Sequence, residues 1–208
     1  MSDATAVVAA GGYGTRCDSG VPKSLLRVGK TTYLESLLIQ LTRAGIDDAI
    51  VYCNRLKYAS QILTLSRHIM PTRVYVDSGV YSTFALAKDS AGVVSSSNIL
   101  FCYGHAPRPA EYLKSLLMRR VKPVVSVVDS TTKRSVIDYQ AGGYVEPPYL
   151  LSVSSLQRSC SMDWATYFAQ ETKCAIGISV DGPSEFNYVK ERDGYSQYLE
   201  SWSSCNEV

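Results

Sequence analysis

An apolar run, Ala6-Val7-Val8-Ala9-Ala10, breaks into Gly11-Gly12-Tyr13-Gly14-Thr15-Arg16 and then reaches Pro22-Lys23 and Leu25-Leu26. The run has the length of a buried strand, and three glycines in four positions let the backbone turn tightly and approach a ligand closely. Consecutive exposed N–H groups in such a loop bind anions, and Arg16 and Lys23 add two positive charges where a triphosphate would lie. The segment reads as a strand emptying into a phosphate-binding loop.

Strand and helix patterns alternate beyond it. Thr32-Tyr33-Leu34-Glu35 has the form of a capping box, and Leu34, Leu37, Leu38, Leu41 and Ala44 follow at helical spacing until Gly45. The pattern predicts strands at 49–52, 73–76, 98–102 and 124–128. Helices are predicted at 56–68, 83–94 and 109–119, the last with a proline in its first turn. Such alternation with short connections predicts an α/β fold, a Rossmann-like three-layer α/β/α sandwich with a mostly parallel sheet. Ligands in that architecture lie beyond the carboxyl ends of the strands.

The chain changes character after Asp129. Short strands are expected at 135–139 and 143–145, followed by Pro147-Pro148, a helix at 163–171, a strand at 175–180 and a last helix at 191–202. In that last helix Tyr195, Tyr198, Leu199 and Trp202 form a stripe that reads as core packing. This part is taken as a substrate-side insertion.

With 208 residues, 46% of them hydrophobic, the chain can bury one good core, and one domain over 1–208 is expected. A net charge of +2, evenly spread, argues against nucleic acid as a partner. The apolar stretches fall far short of a membrane span, and no basic region precedes the first of them. A soluble, unprocessed, cytoplasmic protein is expected. Its six cysteines, Cys17, Cys53, Cys102, Cys160, Cys174 and Cys205, include no C-x-x-C pair, so neither zinc nor a disulfide framework is indicated and buried free thiols are expected. Gly29-Lys30-Thr31-Thr32 imitates the end of a P-loop, but Ser24 stands where that motif needs glycine, and Lys30 reads as a solvated turn residue. His68 has no recognisable partner and reads as a surface residue.

AAGGYGTR, PKSLL, the Thr-Tyr-Leu-Glu helix start and Ala44-Gly45-Ile46-Asp47-Asp48 leading into a strand resemble the N-terminal half of the sugar-phosphate nucleotidyltransferases. The resemblance is dense over residues 6–54. It implies that residues to about 128 bind a nucleoside triphosphate, with Ala10, Gly11, Gly12, Gly14 and Thr15 wrapping the nucleotide and Arg16 and Lys23 holding its phosphates as the catalytic cations. Ser82-Thr83 stands where the family has a Gly-Thr pair beside the base, with serine replacing the glycine.

The Tyr103-Gly104-His105-Ala106-Pro107 stretch stands where N-acetylglucosamine-1-phosphate uridylyltransferases carry Tyr-Gly-Asp-x-Pro, whose aspartate ligates magnesium. Asn187 resembles the residue that supplies a second metal ligand. The implied cofactor is a divalent cation, magnesium or manganese, with cobalt a further option. An imidazole in place of a carboxylate weakens a hard ion's site and suits softer ions. Three readings of His105 stay open: an enzyme with a softer metal, an enzyme whose metal rides on the triphosphate, or a domain that binds without catalysis.

The resemblance implies in-line attack of a sugar-1-phosphate or similar phosphorylated small molecule on the α-phosphorus, with release of pyrophosphate. Tyr139, Gly143, Tyr144 and Glu146 lie where relatives hold the acceptor. Glu146 is equally well read as a solvent-exposed acid before a Pro-Pro turn. The appended acyltransferase helix of the bifunctional uridylyltransferases is not expected. Alternatives are a molybdenum cofactor guanylyltransferase-like enzyme and a non-catalytic nucleotide or sugar-nucleotide binding homologue. A homo-oligomer remains open.

Overall fold

The computed structural model describes residues 3–12, 20–77, 82–119, 123–128, 144–171 and 176–180. Its first strand, β1 (Ala4–Ala9), is buried on both faces. Two short strands, β2 (Arg27–Val28) and β3 (Thr31–Thr32), pair as a hairpin whose turn exposes Lys30, as the sequence indicates. Helix α1 (Tyr33–Ala44) then begins at the capping box. Thr32 Oγ1 accepts from the Glu35 N–H at 3.1 Å and the Glu35 carboxylate accepts from the Thr32 N–H at 2.6 Å. It ends at Gly45, whose φ of 93° is the left-handed conformation that a C-terminal stop requires. Leu34, Leu37, Leu38 and Leu41 are fully buried along one stripe, each stabilising the fold by about 1.5–3 kcal/mol.

The alternation continues through β4 (Ala49–Cys53), α2 (Leu56–Ser66), β5 (Thr72–Val76), α3 (Thr83–Ala91), β6 (Asn98–Tyr103), α4 (Ala110–Leu117) and β7 (Val124–Val128). Strand β8 (Tyr144–Ser152), helices α5 (Val153–Arg158) and α6 (Trp164–Glu171), and β9 (Ile176–Val180) complete the described elements. The main sheet has the order β5-β4-β1-β6-β8-β7-β9, with six parallel strands and β8 running against them.

Alternate residues of the central strands feed two cores. Ala6 and Val8 of β1, Val51 and Cys53 of β4, and Leu100 and Cys102 of β6 pack with α1, α2 and α4. Val7, Ile50, Ile99 and Phe101 point the other way, against α3, α5 and α6. Helices therefore cover both faces, as expected of the three-layer sandwich. The chain moves from β1 outward to β4 and β5, then crosses back over the sheet through α3 to β6. The strand order reverses between β1 and β6, and crevices at such a reversal receive ligands.

Three expectations need correction. Pro147-Pro148 is not a turn but part of the nine-residue β8, joined by a cis peptide bond. The ladder with β7 slips at this point: Val125 pairs with Tyr149 and Ser126 with Glu146, and the two prolines fall within the slip. Proline lacks the N–H that a continuous ladder would demand. Glu146 is consequently not solvent-exposed but 6% exposed. Among the described cysteines, Cys53 and Cys102 are buried free thiols as expected, whereas Cys160 is exposed. The strand at 135–139 and the helix at 191–202 lie outside the described residues.

Candidate functional site

The carboxyl ends of β1 and β6 meet a small seat formed by residues 22–25. Pro22 leads into a single 3-10 turn, Lys23–Leu25, whose Ser24 hydroxyl donates to the Ala10 carbonyl at 3.1 Å. Gly104, just past β6, donates its N–H to the Ala9 carbonyl at 3.0 Å. A Cβ there would lie 3.1 Å from the Ser24 Cβ and 3.2 Å from that of Ala10, so the close approach admits only glycine without a shift. These contacts fix Lys23 beside the start of the glycine-rich loop. At the far side, the Tyr58 hydroxyl donates to the Gly20 carbonyl at 3.2 Å and anchors the loop's exit.

Ala10 serves as a wall of this seat. Its N–H donates to the Tyr52 carbonyl at 2.8 Å, while its own carbonyl takes the Ser24 bond. Gly11 follows against Asn54, the first residue past β4, with 3.5 Å from its ideal Cβ position to the Asn54 Cβ. Asn54 is 7% exposed, yet neither its amide nitrogen nor its amide oxygen has a hydrogen-bond partner. Leaving such a group unpaired costs about 1–3 kcal/mol. The side chain is buried beside the glycine-rich turn with both its donor and its acceptor unmatched. It was not among the residues singled out from the sequence.

His105 stacks on Tyr103, with centroids 5.7 Å apart and rings 9° from parallel. Its pKa is lowered to about 4, first by burial among protein atoms and then by the neighbouring Lys23 ammonium. The imidazole is therefore neutral at physiological pH. Arg108, three residues on, is 5% exposed, and its charge acts on Cys102, whose thiol burial nevertheless pushes up to about 12.

A family model described as the MobA-like NTP transferase domain matches residues 6–162. The chain belongs to this family. The MobA-like domain spans β1 through the loop before α6, which includes both strand ends that form the seat. No curated protein matches the chain by sequence. Among solved structures, a nucleotidyl transferase from Methanothermobacter thermautotrophicus superimposes with a TM-score of 0.75 at 16% identity, covering 98% of this chain and 99% of that one. A candidate glucose-1-phosphate thymidylyltransferase from Bacillus anthracis, solved with sucrose, gives 0.76 at 10% identity over 99% and 97%. Rv0371c from Mycobacterium tuberculosis, solved with manganese, gives 0.63 at 20% over 95% and 97%. Likeness at these identities establishes the fold.

The MobA-like domain places its other expected site residues as follows. Ser82 caps α3, its hydroxyl accepting from the Ala85 N–H at 3.2 Å and donating to the Met162 carbonyl at 3.5 Å. The Thr83 hydroxyl accepts from the Trp164 indole at 2.8 Å. Because β8 runs against β7, with Tyr144 opposite Val128, its start brings Tyr144 and Glu146 to the carboxyl edge of the parallel strands. Gly14, Thr15, Arg16, Asn187, Tyr139 and Gly143 lie outside the described residues. His68 is exposed and accepts from the Arg67 Nε at 2.9 Å, a surface position as expected.

The end of β6 does not suit a hard divalent ion. Such ions take oxygen ligands, and no side chain from Gly104 to Ala110 carries an oxygen. Among the described residues no group of three or more His, Cys, Asp and Glu is placed to hold a metal.

Proposed function

We propose that this chain transfers a nucleotidyl group from a nucleoside triphosphate to a sugar-1-phosphate or a similar phosphorylated small molecule, releasing pyrophosphate. The observation that carries the reading is the convergence, at the reversal between β1 and β6, of the glycine-rich turn, the seated Lys23 and the unpartnered buried Asn54. In this reading the loop residues Gly11, Gly12, Gly14 and Thr15 give their N–H groups to the phosphates. Arg16 and Lys23 offset the charge that builds on phosphate oxygens as the α-phosphorus is attacked in line. Asn54 offers both a donor and an acceptor to the nucleotide. Ser82 and Thr83 border the base from the first turn of α3, and Tyr144 and Glu146 approach from β8 on the acceptor side. The acceptor's own phosphate is the nucleophile, so no protein nucleophile is required.

Membership of an NTP transferase family supports the nucleotide half of the reaction. The test is pyrophosphate release from each common nucleoside triphosphate against a panel of sugar-1-phosphates, with magnesium, manganese, cobalt and EDTA in parallel. Release that needs both substrates supports transfer and identifies the acceptor. Nucleotide binding without release under every condition would favour the non-catalytic reading, to which the imidazole at position 105 lends weight.

A further inference from the structure

We propose that this chain pairs with a second copy of itself through the open edge of β5, continuing the sheet antiparallel across a two-fold axis at Val74. Strand β5 ends the sheet order, and among the described residues no strand pairs with its outer side. Two hydrogen bonds show which backbone groups point outward. The Pro71 carbonyl accepts from the Ala49 N–H at 3.0 Å and the Asp77 N–H donates to the Cys53 carbonyl at 2.7 Å. The odd-numbered residues of this stretch therefore turn their backbone groups to β4. The N–H and C=O groups of Thr72, Val74 and Val76 lie on the open side.

That outward set matches itself. In a pairing centred on Val74, Val74 exchanges both bonds with its counterpart, and Thr72 and Val76 exchange theirs with each other across the axis. Arg73 of each copy then stands opposite Tyr75 of the other. A charge in the middle of an edge strand ordinarily keeps other strands away, but Arg73 is turned aside. It donates to the Val93 carbonyl at 3.1 Å and meets the Asp48 carboxylate at 3.3 Å. The neighbour it gains is an aromatic ring, whose face attracts a guanidinium. Asp77 falls opposite Pro71, so no like charges oppose each other along the pairing.

The side chains bordering the edge supply apolar surface on both faces of the sheet. Val76 is 47% exposed on the α2 face, where Leu63 is exposed beside it, and Tyr75 is 41% exposed on the α3 face, where Val93 is exposed. A two-fold contact uses this patch twice and closes at the dimer. Strands β4 and β1 separate it from the reversal between β1 and β6, so each copy keeps that crevice open.

Sedimentation velocity of the full chain across a concentration series tests the pairing. Expected is a reversible step from one to two chain masses with a midpoint below about 100 µM. Amide hydrogen exchange on the wild type reads the register: the Thr72, Val74 and Val76 amides should exchange fast in dilute solution and slow by about tenfold or more as the dimer fills. Val76→Pro removes an outward N–H while leaving the ladder to β4 intact. Tyr75→Lys sets an ammonium against Arg73 of the other copy. Each should weaken association by about tenfold or more. A monomer at every concentration would overturn the proposal and leave the edge to some other strand. So would a dimer in which these three amides stay fast, or masses that grow past two chains, the mark of head-to-tail joining. The exchange measurement needs no variant, so a misfolded Val76→Pro or Tyr75→Lys protein does not weaken the test.

Discussion

The Trp164 indole donates a 2.8 Å hydrogen bond to the Thr83 hydroxyl across 81 residues of sequence. It joins the first turn of α3 to the start of α6. Lys88, one helical turn further along α3, reinforces the join by donating to the Ser159 carbonyl at 2.8 Å. The edge proposed to border the base is thus braced by a segment that follows β8.

Trp164→Phe isolates this brace. The ring would still pack among Phe84, Phe101, Tyr149 and Phe168, but the donor is gone. Stability should fall by about 1 kcal/mol, read as a shifted denaturation midpoint at unchanged slope. Trp164→Ala should cost about 3–5 kcal/mol because it also opens the core. Nucleotide affinity should drop in Trp164→Phe through the displaced α3 start, and full affinity would mean the brace does not reach the site.

Gly104→Ala forces a methyl group against Ser24 and Ala10 at 3.1–3.3 Å. Overpacking of this kind costs about 1–3 kcal/mol, and the part able to yield is the turn that carries Lys23. Loss of nucleotide affinity should accompany the loss of stability. Adding Ser24→Gly should recover only part of either, because the contacts with Ala10 remain.

Asn54→Leu separates stability from binding. Its two unpartnered amide atoms burden the unliganded fold, so an apolar side chain of similar size should raise stability by about 1–2 kcal/mol. The same change should abolish the rise in melting temperature that a bound nucleoside triphosphate produces. Destabilisation by Asn54→Leu would mean that the amide is already matched in the unliganded fold and is not held for a nucleotide.

His105 should stay neutral down to about pH 4, with its imidazole proton resonances titrating near that value. The unfolded chain takes up the proton near pH 6.5. Between these values the unfolded state binds more protons, so the contribution of His105 to stability is complete above about 6.5 and fades as pH falls toward 4. Denaturation midpoints of wild type against His105→Gln across this window check the sign. Lys23→Gln should move the resonance midpoint upward, since its ammonium helps hold the pKa down.

Much of the fold could be read from local chemistry. Thr32, Glu35 and Gly45 mark α1 because each acts on backbone within a few residues of itself. The strands β1, β4 and β6 are visible because both faces are buried and the runs are mostly apolar. Strand β8 was misjudged because Pro147-Pro148 is a local signal for a turn, while the slip that accommodates it depends on where β7 lies. The Lys23 half of the site was apparent from its motif. Asn54 was not, since an asparagine after a strand resembles an ordinary loop residue until its distance from Gly11 and its empty hydrogen-bond positions are known.

The pairing of Val128 with Tyr144 means that the chain leaves β7 and enters β8 at one and the same rim of the sheet. The register of the two strands is held by their own ladder, so the sequence between Val128 and Tyr144 could be lengthened or rewritten while the strands keep that register. The architecture contains a graft point: a scaffold of this kind can take a new connection at that rim without relearning how to fold.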